Sequence, residues 1–203
     1  MARIALIGAS GNVGSRLLKE LSERGHRVSA IVRSPEKIPA LPGVTAVAGD
    51  VNDGSGLAAL LAGHDAVVSS TRFIDTPFDI LIEAVRASGV KRFLVVGGAG
   101  SLEVAPGQRL VDQPDFPTQY KAEALRGAEF LDLLKTTGDL DWTFLSPSAL
   151  FVPGERTGKF RLGKDQLLTT DKGSSISYED FAIAMADEIE NPKHVRQRFT
   201  VGY

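Results

Sequence analysis

The sequence predicts an α/β fold, a doubly wound parallel sheet with helices on both faces. Three observations carry this. Short β-branched runs alternate with longer amphipathic stretches through the first 150 residues. Strand, helix, strand in regular order requires crossover connections and therefore parallel strands. A glycine-rich turn, Gly8-Ala9-Ser10-Gly11-Asn12-Val13-Gly14, links the first strand to the first helix.

The elements follow in chain order. Arg3 to Ile7 (RIALI) is a short apolar run ending at glycine, the first strand. Gly14 to Arg24 places Leu17, Leu18 and Leu21 on one helical face, and Gly25 stops it. Arg27 to Val32 and Val44 to Ala48 are the second and third strands. Leu57 to Leu61 suits a short helix, and Asp65 to Val68 a fourth strand. Phe78 to Ala87 is helical, Gly89 ends it, and Lys91 to Val96 is the fifth strand. Tyr120 to Lys135 is a long amphipathic helix, followed by a sixth strand at Asp141 to Leu145. The rhythm then breaks. Residues 151–177 are rich in Gly, Lys, Ser and Thr and read as loop plus short strands, a small lid segment on the substrate side. Tyr178 to Glu190 is a final helix and Arg198 to Val201 a last strand. Residues 1–203 read as one domain, without internal repeats.

Composition narrows the function. The chain carries 23 Lys+Arg against 25 Asp+Glu, a formal net charge of -2. That balance offers no bulk-charge case for nucleic acid. With no cysteine there is no disulfide, zinc-thiolate site or cysteine nucleophile. No apolar run approaches the roughly 18 residues of a membrane span, and the start lacks a signal-peptide pattern, so a cytoplasmic location is expected. His26, His64 and His194 have no carboxylate at ligand spacing; they are expected at the surface, and no metal is predicted. The run Lys193 to Arg198 reads as a solvated face.

The GxxGxxG turn is the most informative segment. Gly8 permits a tight turn, Gly11 lets backbone approach a pyrophosphate, and Gly14 lets the helix pack close to the sheet. The free N–H groups of the helix start then hold phosphate oxygens, among them those of Asn12 and Val13. Ser10 and Asn12 add side-chain donors. The end of the second strand selects the cofactor. An NAD site usually places an acid there, whereas this chain reads Ile31-Val32-Arg33-Ser34. Arg33 offers a planar cation suited to a 2′-phosphate, so NADP(H) is favoured over NAD(H). The segment Gly154-Glu155-Arg156-Thr157-Gly158-Lys159-Phe160 is not a P-loop: one residue too few separates its glycines, and Phe160 stands where Ser/Thr is needed.

With Ser10 in place of Thr, the loop is otherwise of the GATGxxG type. Together with Arg33, Gly49-Asp50-Val51-Asn52-Asp53 and Val95-Val96-Gly97-Gly98-Ala99-Gly100, the chain resembles the atypical short-chain dehydrogenase/reductases. It is most similar to small NAD(P)H-binding members related to biliverdin/flavin reductases and to NmrA-like proteins. The tail segments Leu145-Ser146-Pro147-Ser148, Pro153 to Gly158 and Ile176 to Asp180 share the likeness, which covers essentially the whole chain. The resemblance implies a Rossmann fold and further cofactor contacts. Asp50 and Val51 would hold the adenine; Ser69, Ser70 and Thr71 would face the ribose and nicotinamide; Gly97, Gly98 and Ser148 would follow at the next strand ends. Asp50 equally suits a turn, and Ser70 and Thr71 a helix cap.

Short-chain dehydrogenases usually pair a Ser with Tyr-x-x-x-Lys, the lysine lowering the tyrosine pKa. Here Tyr120 is followed by Lys121, and Ala124 occupies the lysine position. Neighbouring residues do not share a helical face, so the motif is broken. Ser101 and Tyr120 remain the candidates to touch a substrate, with Tyr120 equally a packing residue. Phe73 and Phe151 are candidates for the pocket wall or the core. A flavin, quinone or tetrapyrrole takes a hydride without a dedicated tyrosine. The expected function is therefore NADPH-dependent reduction of a small planar acceptor by a monomer or homodimer. An NmrA-like redox sensor acting through a protein partner is the alternative, and a sugar-nucleotide epimerase or dehydratase a more distant one.

Overall fold

The computed structural model describes residues 1–203. The chain runs β1 (Arg3–Ile7), α1 (Asn12–Glu23), β2 (Arg27–Val32), β3 (Val44–Ala48), α2 (Gly54–Leu61), β4 (Ala66–Ser69), α3 (Phe78–Ala87), β5 (Arg92–Val96), β6 (Glu103–Ala105), β7 (Gln108–Arg109), α4 (Thr118–Lys135), β8 (Asp141–Pro147), β9 (Leu150–Val152), β10 (Arg161–Gly163), β11 (Ser175–Ser177), α5 (Tyr178–Glu190) and β12 (Gln197–Gly202). Eight strands form one sheet in the order β10-β12-β8-β5-β4-β1-β2-β3. Every pairing in it is parallel except β10 with β12. The order reverses between β1 and β4, so the sheet is doubly wound and its switch point lies between those strands.

Strand period explains the two cores. Ile4 and Leu6 of β1 face one layer with Leu17, Leu18 and Leu21 of α1 and Phe181 and Met185 of α5. Ala5 and Ile7 face the other, with Leu57 of α2, Leu81 and Val85 of α3, and Phe130 and Leu134 of α4. Burial on both faces explains why these strands read as continuous apolar runs. In the second layer the Phe78 and Phe130 rings stack at 4.2 Å. Each such ring contributes about 1.5–3 kcal/mol by leaving water.

Helices α3 and α5 span the residues that periodicity predicts. Helix α2 starts three residues early because the Asp53 carboxylate accepts from the Gly56 N–H at 3.0 Å and caps it. The segment after β8 divides. Strands β9 and β11 pair as a separate ribbon, while β10 adds an antiparallel edge to the main sheet. The β6–β7 hairpin has no sequence signal of alternating apolar residues.

Several surface expectations need correction. His26 is 3% exposed; its Nδ1 accepts from the Ala2 N–H, and Nε2 meets Glu190 at 2.9 Å. His194 stacks on Phe199 and meets the buried Glu188 at 2.8 Å. Of the two residues read as pocket wall or core, Phe73 belongs to the core, stacked on Phe144. Phe151 packs on Tyr178 and Phe181. No helix is long and apolar enough to cross a membrane.

Candidate functional site

Because the strands run parallel, their carboxyl ends share one edge. Across the sheet the residues just beyond them are Asp50 after β3, Arg33 after β2, Gly8 after β1, Ser70 after β4 and Gly97 after β5. The fold thus gathers the predicted cofactor residues on one edge, flanking the switch point.

The glycine turn is built by close contacts. Gly8 has φ +79°, its N–H donates to the Ile31 carbonyl at 3.0 Å, and a Cβ there would lie 2.5 Å from the Ser70 carbonyl oxygen. Gly14 is buried, and a Cβ on it would collide with the Gly8 carbonyl. The Gly11 N–H donates to Gly8 at 3.1 Å and closes the turn. Gly11 is also the N-cap of α1, which carries no side-chain cap and no acid in its first turn. The N–H groups of Asn12, Val13 and Gly14 find no acceptor in the chain. Ser10 and Asn12 are exposed beside them, and half-buried Val13 packs on the core. The positive end of the helix therefore points to solvent at the switch point, an arrangement suited to phosphate.

Arg33 is exposed and makes no ion pair. Asp50 lies near it. Donors from the Asn52 backbone at 2.9 Å and side chain at 2.7 Å, reinforced by the Arg33 charge, hold its carboxyl below the usual carboxylate range. Val51 packs against the second core layer.

Beyond β4, the hydroxyls of Ser69, Thr71 and Thr76 form a chain with links of 3.0 and 2.9 Å, and Thr76 also donates to the Arg72 carbonyl. Ser70 extends the ladder by donating its N–H to Ile7. The Gly97 N–H donates to Leu145 at 2.8 Å, and Gly98 lies beside Phe73. Ser148 is fully buried and its hydroxyl donates to the Val201 carbonyl at 3.1 Å, so this side chain is committed to β12 rather than to the open edge.

The two catalytic candidates are not joined. The Ser101 hydroxyl accepts from Arg198 Nη1 at 3.2 Å. Tyr120 is 62% exposed in the first turn of α4, and its phenol has no partner. Two residues that local patterning missed organise this end. Arg198, within the run expected to be solvated, has a side chain only 6% exposed and binds Asp165 at 2.7 Å. Glu123 accepts from the Phe73 and Ile74 N–H groups at 2.7 and 2.9 Å and ties the segment after β4 to α4. No local signal marks either, since the partners are 33 to 50 residues away.

A parallel sheet with a bare helix N-terminus and glycine turn at its switch point defines a dinucleotide-binding α/β protein. The NAD(P)H-binding family model matches residues 8–192, and the chain belongs to this family. A Burkholderia pseudomallei protein described as exported is similar at 46% identity and TM-score 0.91, over 100% of each chain. A proposed epimerase from Bacteroides thetaiotaomicron is 44% identical with TM-score 0.95, covering 99% of this chain and 96% of that one. A proposed NADH-flavin reductase from Streptococcus pneumoniae is 36% identical with TM-score 0.84, covering 100% and 99%.

Proposed function

We propose that this protein is an NADPH-dependent reductase of a small planar acceptor such as a flavin, quinone or tetrapyrrole. The observation that carries the cofactor half is the unpaired Arg33 cation beyond the end of β2, the strand paired with β1, which leads into the three bare amides of α1. These groups fit a dinucleotide: the amides would hold the pyrophosphate, and Arg33 the 2′-phosphate. When bound, the nicotinamide supplies the hydride. The chain's work is to bind and orient. Gly97 and Gly98 let the loop after β5 pack close on Phe144 and Phe73, and the Ser69–Thr71–Thr76 hydroxyls and Glu123 fix the segment after β4 at the same edge.

The acceptor half rests on Ala124. With no lysine beside Tyr120, an acceptor that needs no enzyme-bound phenol proton fits best, and solvent delivers the proton. The Streptococcus pneumoniae relative supports this reading. The same missing lysine weakens an epimerase function, which needs a base. It also motivates the second reading, a redox sensor that binds the cofactor without turnover.

The test is direct: titrate NADPH and NADH, then follow NADPH oxidation with flavins, quinones and biliverdin. Turnover with one of them supports the reductase. Tight NADPH binding with no turnover on any acceptor sinks it and selects the sensor.

A further inference from the structure

The opposite, amino-terminal edge of the sheet carries a cleft of about 440 Å³. Arg3 of β1 and Arg27 of β2 are register partners, so they stand side by side on one face of the sheet. Like charges directly opposite each other are destabilising unless something compensates them. Arg27 makes no ion pair, and the one bridge of Arg3, to Asp65, is 3.9 Å long and exposed. No acidic residue lines the cleft.

Two hydroxyls and an imidazole complete the polar lining. Ser29 follows Arg27 on the same face and registers with Thr45 of β3. His64 closes the side. Its Nδ1 lies 2.9 Å from the Leu61 carbonyl, where it can only donate, so Nε2 accepts from the Ser29 hydroxyl at 2.8 Å. The ring is thereby fixed in one orientation. The donors left at the cleft are two guanidinium forks and the Thr45 hydroxyl, since the Ser29 hydroxyl and the His64 ring are spent on each other and on Leu61; the one carboxylate nearby, Asp65, accepts from the Arg3 N–H at 2.7 Å and leaves Arg27 unanswered. Planar forks match tetrahedral oxyanions in bidentate fashion.

We propose that this cleft binds a compact phosphate-class oxyanion, either free phosphate or the phosphate of a metabolite monoester. The site is distinct from the dinucleotide edge, which lies one strand length away, about 16 Å for five residues. It assigns a function to a like-charge pair that folding alone would disfavour.

The experiment titrates inorganic phosphate, and separately glycerol 3-phosphate, into the full-length protein at constant ionic strength in chloride. Backbone amide NMR shifts locate the binding. The expected result is saturable shifts at Ser29, Thr45 and His64, with at least tenfold weaker phosphate binding in Arg27→Gln. Tighter binding of glycerol 3-phosphate assigns the monoester, and equal or weaker binding assigns free phosphate. In phosphate-free chloride Arg27→Gln should melt no lower than the wild type, because the repulsion is gone. Shifts confined to residues 8–14 in the wild type, or unchanged phosphate affinity in Arg27→Gln, would overturn the proposal. Should Arg27→Gln fail to fold, Arg3→Gln and the wild-type shift map decide it.

Discussion

Gly100 and Ala124 pack so closely that a Cβ on Gly100 would lie 2.7 Å from the Ala124 Cβ. Ala124 holds the position where the dehydrogenase pattern places lysine. The loop after β5 has therefore closed onto α4 in the space a lysine stem would need. The motif is broken sterically as well as by residue type.

The first prediction follows. Ala124→Lys will not install a relay; it will destabilise the protein by about 1–3 kcal/mol through overpacking against Gly100. Tyr120→Phe, by contrast, should leave turnover within about twofold, because an exposed phenol without a partner is poorly placed to hold a proton. Denaturant unfolding reads the first effect and steady-state NADPH oxidation the second. A large loss of turnover in Tyr120→Phe would return Tyr120 to the chemistry.

Arg33→Ala should weaken NADPH binding about tenfold or more and leave NADH binding nearly unchanged, as expected for losing one charge-assisted contact to phosphate. Calorimetric titration of both cofactors checks this. Equal losses for both would mean that Arg33 does not read the 2′-phosphate.

Gly14→Ala should disturb the turn itself. Its methyl group would run into the Gly8 carbonyl, backbone that cannot swing aside. A melting temperature several degrees lower is expected, together with loss of dinucleotide affinity. Normal affinity in a destabilised protein would separate folding from binding at this turn.

A fourth prediction concerns acid stability. Glu20 of α1 is buried; burial disfavours its charge, yet hydrogen bonds from Arg156 and Arg24 outweigh this and hold its carboxyl below the usual range. A depressed folded-state value means that the stabilisation is present above the unfolded value, about 4.5, and is lost as pH falls through the lower folded value. Glu20→Gln should therefore cost about 1–2 kcal/mol at neutral pH, a modest figure because Arg156 is half exposed. The difference from wild type should shrink toward pH 3. Melting curves from pH 3 to 7 test it, and a difference that stays constant over that range would exclude Glu20 as the source.

Much of this molecule was legible before folding, and particular elements show why. Helix α5 has Phe181, Met185 and Ala182 at helical spacing, and its N-cap Ser177 accepts from the Asp180 N–H at 3.0 Å. Period and cap are local signals, so the helix and its start are written in the local sequence. The glycine turn was legible for the same reason: each glycine answers a steric demand made within a few residues or by the adjoining strand. The positions of Arg33, Asp50 and Gly97 at one edge followed from strand order alone, because parallel strands send all their carboxyl ends the same way.

What the chain determined by itself was the alternation of elements, the glycine turn between β1 and α1 and the absence of the lysine relay. Tertiary structure alone decided which charges are buried and which hydroxyls are free. Arg198 left its apparent surface run because Asp165 and Ser101 meet it across the sheet edge. Ser148 turned inward to Val201, and Glu123 became the clasp of the segment after β4. The reason is physical: propensity and period act over one or two turns of chain, whereas desolvation and pairing of a polar group depend on neighbours that only the closed sheet brings within hydrogen-bond reach.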